Sequence, residues 1–262
     1  MREIRFATIA ALAFAALTWS GGQPWAKTPK LPPTAPLPAP SEAAPAKPQT
    51  PDAPPDAQDK TAEPEKPKPK PDPRSDESAA DTLPAGEIAC RMRLHALGVA
   101  FENRKAEHDA AIGCSMPYPV AVKKLGAVEL APDAEMNCAM AEAAARFLMV
   151  VVNSAAISDL GSGLKSVEQA SAFVCRPRHN GQKLSEHAFG NALDISAFVL
   201  DDGTRIEIGP APPEKQAKFL ARLRQAACGP FKTVLGPSSD ADHAAHFHLD
   251  LEPRRNGATF CQ

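Results

Sequence analysis

Seventeen of the chain's 28 prolines fall within residues 29–84, a stretch of 56 positions. Proline fixes φ and carries no N–H, so neither helix nor sheet propagates through such a run. The stretch also holds almost no apolar side chain larger than Ala, only Leu31, Leu37 and Leu83. It therefore buries too little surface to offset the entropy of ordering it. Its charges nearly cancel, with 8 Lys and Arg against 10 Asp and Glu over residues 27–84. We read residues 27–86 as a disordered Pro/Ala/Lys-rich linker. The run Lys66-Pro67-Lys68-Pro69-Lys70-Pro71 is expected to be polyproline-like. Fully extended at about 3.1 Å per residue, the linker spans on the order of 170 Å, which suits a spacer.

Ahead of the linker, residues 6–17 form an apolar run of 12 broken only by Thr8, with Arg2 and Arg5 near its start. Such a run is too short for an ordinary membrane-spanning helix and suits the core of an export signal. Residues 1–26 are read as a signal peptide or as an uncleaved N-terminal anchor. Cleavage after Ala26 sets Pro24 at the −3 position, and no Cys follows the run to make a lipoprotein site. Either way the rest of the chain is expected to be periplasmic or secreted. The net charge of −2 gives no reason to expect a nucleic-acid partner. Contact with a membrane is expected only through an uncleaved N-terminal segment.

All six Cys and all seven His lie after residue 86. An even number of widely spaced cysteines in an exported domain points to disulfides, and without a CxxC pair a thiolate zinc cluster is not expected. Six cysteines allow fifteen pairings, and spacing does not choose among them. Cys261, next to last, is expected to staple the C-terminus to the body. Residues 87–262 are long enough for one folded domain.

Within that domain, residues 87–97 read as a helix stopped by Gly98, and residues 128–130 as a short strand. Pro132-Asp133 is expected to open a long helix with Asp133 as its N-cap. Met136, Met140, Ala143, Ala144, Phe147 and Val151 then recur at helical spacing, as a core stripe. Strands are expected at residues 171–175 and 193–200, the latter turning at Asp201-Asp202-Gly203 into a return arm at 205–208. Residues 213–226 read as an amphipathic helix with Phe219, Leu220 and Leu223 inward, and residues 231–235 and 246–251 as further strands. Helices and strands mix without a βαβ rhythm, so the expected class is α+β with a small antiparallel sheet and flanking helices.

Four of the seven histidines fall in two short stretches, Ser185 to Asp194 and His243 to Leu251. In the second, taken as a strand, His246, His248 and Asp250 share one face and Phe247, Leu249 and Leu251 the other. The apolar set pins the strand to a core, leaving the polar row free for chemistry. In the first, His187 and Asp194 meet if the chain loops at Gly190. Two His and one carboxylate make a three-ligand set that leaves a zinc ion its fourth position for water. Such an ion activates that water and polarises a carbonyl.

The pattern Ser185-x-His187-x-x-Gly190-x-Ala192-x-Asp194, followed by His246-x-His248, resembles the zinc peptidases of the D-Ala-D-Ala carboxypeptidase, lysostaphin and hedgehog type. The domain from Cys90 to Cys261 more closely resembles the extensin-like C-terminal domain of alpha-proteobacterial exported proteins. Asn137-Cys138-Ala139-Met140-Ala141-Glu142, Cys175-Arg176-Pro177-Arg178, the stretch from Leu184 to Asp194 and Thr233-Val234-Leu235-Gly236-Pro237 carry that likeness. The peptidase resemblance implies one zinc ion held by His187, Asp194 and His248. It implies His246 as general base or oxyanion partner. His243 is spaced like a histidine that lines the site of penicillin-insensitive murein endopeptidases. Arg176, with Arg178 as competitor, would hold a substrate carboxylate, and Ser185 would orient the motif loop or a substrate carbonyl. In the branch with a Glu-x-x-His motif, a Glu stands where this chain has Ala245, so the base role passes to His246 or His243.

The expected function is therefore an exported zinc metallopeptidase acting on peptidoglycan stem or cross-link peptides. The alternative is a non-catalytic cell-wall-binding module that keeps the fold. A cupin-like use of His-x-His is disfavoured because cupin barrels need many regular strands, and two of these helices are convincing.

Overall fold

A computed structural model describes residues 70–262 with the exception of residue 180. The leader over 1–26 and the linker up to residue 69 lie outside the described residues. The final part of the linker stretch is described. It includes a 3-10 turn at Pro73–Asp76, and helix α1 begins at Ala85–Ala96.

Eleven strands follow: β1 Ala100–Asn103, β2 Glu107–Asp109, β3 Cys114–Met116, β4 Val120–Leu125, β5 Val128–Met136, β6 Leu164–Ser171, β7 Ala192–Leu200, β8 Arg205–Glu207, β9 Thr233–Leu235, β10 Phe247–Asp250 and β11 Phe260–Cys261. Two further helices are α2 Cys138–Leu160 and α3 Glu214–Ala227. The class is α+β, as expected. Nine strands make the main sheet in the order β1-β4-β5-β6-β7-β10-β9-β11, with β8 paired to β7, while β2 and β3 form a separate ribbon. Most pairs are antiparallel, and β5–β6 and β9–β11 are parallel.

The long helix starts later than Pro132-Asp133 suggests. Strand β5 runs on to Met136, and Asn137 is the N-cap, its Oδ1 accepting from Met140 N at 2.8 Å. The physical reason is visible in burial: Ala134 and Met136 are buried between half-exposed or exposed Asp133 and Glu135, a period of two. The Met and Phe stripe is core, with Met140, Ala144 and Phe147 buried and Ala143 and Val151 packed against them. Helix α2 contains π-helical stretches at Phe147–Val152 and Ala156–Leu160. It is long and apolar enough to cross a membrane, but its buried residues serve the core of this domain.

The strand expected at residues 171–175 instead ends at Ser171. The strand in this region is β6, Leu164–Ser171, and Ala172 onward leaves the ladder to run beside the motif loop. Strand β7 and its return arm β8 form the expected hairpin, and Phe219, Leu220 and Leu223 of α3 face inward. Phe198 and Phe219 meet edge to face at 6.0 Å in the core. Each fully buried side chain of this size contributes about 1.5–3 kcal/mol.

The three disulfides are Cys90–Cys138, Cys114–Cys175 and Cys228–Cys261. The first joins α1 to the start of α2. The third ties the C-terminal strand to the end of α3, as expected of Cys261.

Strand alternation divides the sheet at β7 and β10. Leu193, Ile195, Phe247 and Leu249 join the helices in the main core. Asp194, His248 and Asp250 alternate with them and therefore point to the opposite face. A second small cluster of Cys114, Leu184, Ala188 and Phe189 supports the motif loop there.

Candidate metal centre

The first motif is a tight 3-10 turn, Glu186–Phe189, that follows Ser185. Ser185 acts as its N-cap, with Oγ accepting from His187 N at 3.4 Å. The turn ends at Gly190, which has φ +59°. A Cβ at Gly190 would lie 2.0 Å from Met116 Sδ and 2.9 Å from Asn137 N, so only glycine fits this sharp exit. Asn137 also donates from Nδ2 to Asn191 Oδ1 at 3.0 Å, fastening the loop to the start of α2. On its other side the turn is sewn to residues 172–178: Val174 N donates to His187 O at 3.3 Å and Ser185 N to Arg176 O at 3.2 Å. The Cys114–Cys175 bridge anchors that same stretch to β3.

This scaffold aims His187 at Asp194 and His248. His187 Nε2 is 3.2 Å from Asp194 Oδ2 and 3.2 Å from His248 Nδ1. His248 Nδ1 is 2.9 Å from Asp194 Oδ1. All three residues are buried, and their ligand atoms lie within 4.8 Å of one another.

The outward-facing nitrogens decide what the inward ones offer. His187 Nδ1 faces the carbonyl oxygen of Ala172, which only accepts, so that nitrogen carries the hydrogen. His248 Nε2 faces Asp250 Oδ2 at 3.0 Å and carries its hydrogen for the same reason. In the neutral rings the inward nitrogens are then both lone-pair acceptors, facing a carboxylate. Three buried acceptors pointing at one another require a cation between them, either a proton or a metal. Their separations of 2.9 and 3.2 Å suit a metal. A tetrahedral ion with arms of 2.0–2.1 Å sets its ligands roughly 3.3 Å apart. The donor set of two imidazoles and one carboxylate, each with an outer partner where a ring is concerned, matches a site that keeps a coordination position open.

Electrostatics agree with the geometry. Burial pushes the Asp194 carboxyl up, but hydrogen bonds from His187 and His248 overrule it and hold it well below the usual carboxylate range. Burial works against charge on His248, yet Asp194 and Asp250 together push its pKa up to about 9.

His246 stands just before β10, with Nε2 3.7 Å from Asp194 Oδ1. Burial lowers its pKa from 6.5, with Asp194 opposing and the neighbouring histidines adding to the effect. His243 lies in the preceding turn, its ring 5.2 Å from that of His246 and 5.7 Å from that of His248. Asp240 Oδ1 accepts from His243 Nδ1 at 2.6 Å and orients it. These groups open onto a cavity of about 990 Å³ that Arg176 and Ser185 also line. Arg176 is exposed, and among the described residues its guanidinium makes a single hydrogen bond, to the Pro177 carbonyl at 3.4 Å. Arg178 instead pairs with Glu252 at 2.9 Å. Both line the cavity, and of the two Arg176 is the one whose guanidinium pairs with no carboxylate among the described residues.

Residues without an assigned role in the sequence reading also come to the site. His179, on the rim, pairs with Asp242 at 2.7 Å. Asp250 was visible through its parity with His248. Glu186, between the cap and His187, gave no signal beyond being a lone acid in an apolar turn.

A disulfide-linked α+β domain with a buried His-Asp-His group under an open cleft is thus the class that the fold and the site define. The chain belongs to the extensin-like protein C-terminus family, whose model matches residues 88–262. No curated protein and no solved structure matches the chain. The likeness to zinc peptidases therefore rests on the sequence motifs alone.

Proposed function

We propose that the protein is an exported zinc-dependent peptidase whose substrates are peptidoglycan stem or cross-link peptides. The observation that carries the reading is the convergence of His187, Asp194 and His248, with lone pairs inward and hydrogens outward, at the floor of an open cleft. His187 Nε2, Asp194 and His248 Nδ1 would hold the ion, which would supply Lewis-acid activation of a water and of the scissile carbonyl. His246, kept neutral by its burial, accepts the proton of the attacking water and passes it to the leaving amine. His243, braced by Asp240, is placed to share that role or to steady the oxyanion. Arg176 on the cleft wall holds a substrate carboxylate, and Ser185 keeps the His187 turn in place. Pairing of all six cysteines supports an oxidising compartment, periplasmic or secreted.

One observation favours a second reading, a wall-binding module without catalysis: position 245 is an exposed Ala, so no carboxylate base stands three residues before His248. A digest of purified peptidoglycan with the zinc-loaded full chain separates the two. New amine ends or free D-Ala in mass spectra support the peptidase. Bound zinc with an unaltered peptidoglycan profile supports the binding module, and a chain that takes up no divalent metal overturns the metal reading.

A further inference from the structure

Glu186 immediately precedes the ligand His187, and its side chain is 0% exposed. A buried carboxylate is tolerated only when it is paired and hydrogen-bonded. Its amide partner is Asn191 Nδ2, at 2.7 Å from Oε2, which ties the two ends of the turn together. Its cation comes from far away in sequence. Arg74 NH1 donates to Glu186 Oε2 at 2.7 Å and NH2 to Oε1 at 2.9 Å, a two-point clamp. Among the described residues no other cation pairs with Glu186.

Arg74 is itself held on several sides. Asp72 Oδ1 accepts from its backbone N at 2.9 Å and from Nε at 3.0 Å, and Asp72 Oδ2 accepts from NH2 at 3.0 Å. The guanidinium carbon sits 3.8 Å from the centroid of the Phe189 ring, within the same turn. The strand of chain around it is stitched to the domain. Lys70 N donates to Gln182 O at 2.7 Å, and Ser115 Oγ donates to Glu77 O at 2.5 Å. Lys70, Asp72, Arg74 and Glu77 all lie before residue 88, where the family match begins, and the partners Gln182, Glu186 and Ser115 lie after it.

We infer that Arg74 is a positioning residue of the metal centre, and that the functional unit starts at Asp72 and not at the family boundary. Its guanidinium neutralises Glu186 and stacks on Phe189, and so fixes the turn that aims His187 at Asp194 and His248. The inference rests on the metal reading above for its functional consequence, while the clamp itself is a matter of local order.

The test uses the full chain with Arg74→Ala, Arg74→Lys and the double variant Arg74→Ala/Glu186→Gln. Cobalt(II) is titrated by its visible absorption, and amide hydrogen exchange is measured without metal. Arg74→Ala is expected to bind cobalt about tenfold more weakly, the lower end of what loss of a direct partner of a metal ligand costs, because Arg74 acts through Glu186. Exchange at residues 186–190 should quicken while β4 and β5 stay as protected as before. Arg74→Lys should regain part of the affinity. The double variant should regain most of it, because no charge is then left buried without a partner. A purely structural strap would not be rescued by Glu186→Gln. Cobalt affinity and exchange unchanged in Arg74→Ala, or a double variant no better than the single, overturns the inference. Should Arg74→Ala be too unstable to purify, the lysine and double variants decide by the same readouts. If the unaltered chain takes no cobalt, the metal reading falls by itself, and the exchange pattern alone then decides for or against Arg74.

Discussion

His248 stands directly opposite Asp194 across the antiparallel β7–β10 ladder, and its Nδ1 lies 2.9 Å from Asp194 Oδ1. The register of two strands therefore places two of the three candidate ligands without help from any loop. Side chains facing each other in such a pair have Cβ atoms about 4.5–5.5 Å apart, close enough for one ion to bridge their tips. Only His187 depends on a turn, and that turn is fastened by a cap, a glycine exit, a disulfide and an ion pair.

Removing His248 should remove the metal. Purified His248→Ala is expected to carry close to none of the roughly one zinc per chain expected for a three-ligand site. His108, exposed on β2, serves as the control, and His108→Ala should keep its zinc. Elemental analysis after dialysis reads both. Full zinc retention by His248→Ala would sink the ligand assignment.

Asp250 should tune the site without touching the ion. Its Oδ2 fixes the His248 ring by accepting from Nε2 at 3.0 Å. Loss of such an outer partner typically weakens metal binding by about 10–100-fold. Asp250→Ala should fall in that range, and Asp250→Asn, which keeps a carbonyl acceptor, should lose less. Competition with a chromogenic chelator measures the order. Equal affinities for the two variants and the unaltered chain would show that the Nε2 bond is idle.

The pH dependence follows from His248, whose pKa is raised from 6.5 to about 9. A raised value means that the protonated ring favours the folded state. In the metal-free protein that contribution is full below 6.5 and is lost as pH climbs through about 9. Metal has to displace this proton, so zinc affinity should rise by about tenfold per pH unit across the same window. Metal-free thermal stability should change in the opposite sense. Calorimetric titrations in buffers of different ionisation heat count the released proton. An affinity flat between those two pH values, with no proton released, contradicts the coupling.

The sequence already carried much of this site, and physical causes separate the legible parts from the others. Alternation in His246 to Leu251 told which side chains face together, because strand parity is local. The motif around Gly190 was readable because a glycine with a positive φ is a local demand. The opening of α2 is not legible locally. Pro132-Asp133 looks like a helix start in isolation, and only pairing with β4 reveals Ala134 and Met136 as alternating strand positions. Disulfide partners were closed to sequence reading, since Cys114 and Cys175 meet through the fold over a separation of 61 residues. Arg74 was hidden for a compositional reason: it lies in a proline-rich, apolar-poor stretch, and its partner Glu186 is 112 residues away.

Gly190 provides the sharpest test of how the turn is built. Its φ of +59° disfavours any side chain, and an added Cβ would meet Met116 Sδ and the backbone nitrogen of Asn137. The sulfur can swing aside, but Asn137 N is backbone and already donates to Gly190 O at 2.8 Å. Relief of the clash must therefore move either the start of α2 or the turn that carries His187. Gly190→Ala is expected to cost about 2–4 kcal/mol, from the left-handed backbone and the overpacking together. Gly209, which has open space around its would-be Cβ, is the control, and Gly209→Ala should change stability by less than about 0.5 kcal/mol. Urea unfolding followed by far-UV circular dichroism measures both. Because the displaced turn holds a ligand, Gly190→Ala should also weaken zinc binding in the protein that remains folded. A variant as stable as the parent would mean that the turn exits by a different backbone path and that His187 does not need this glycine to reach Asp194.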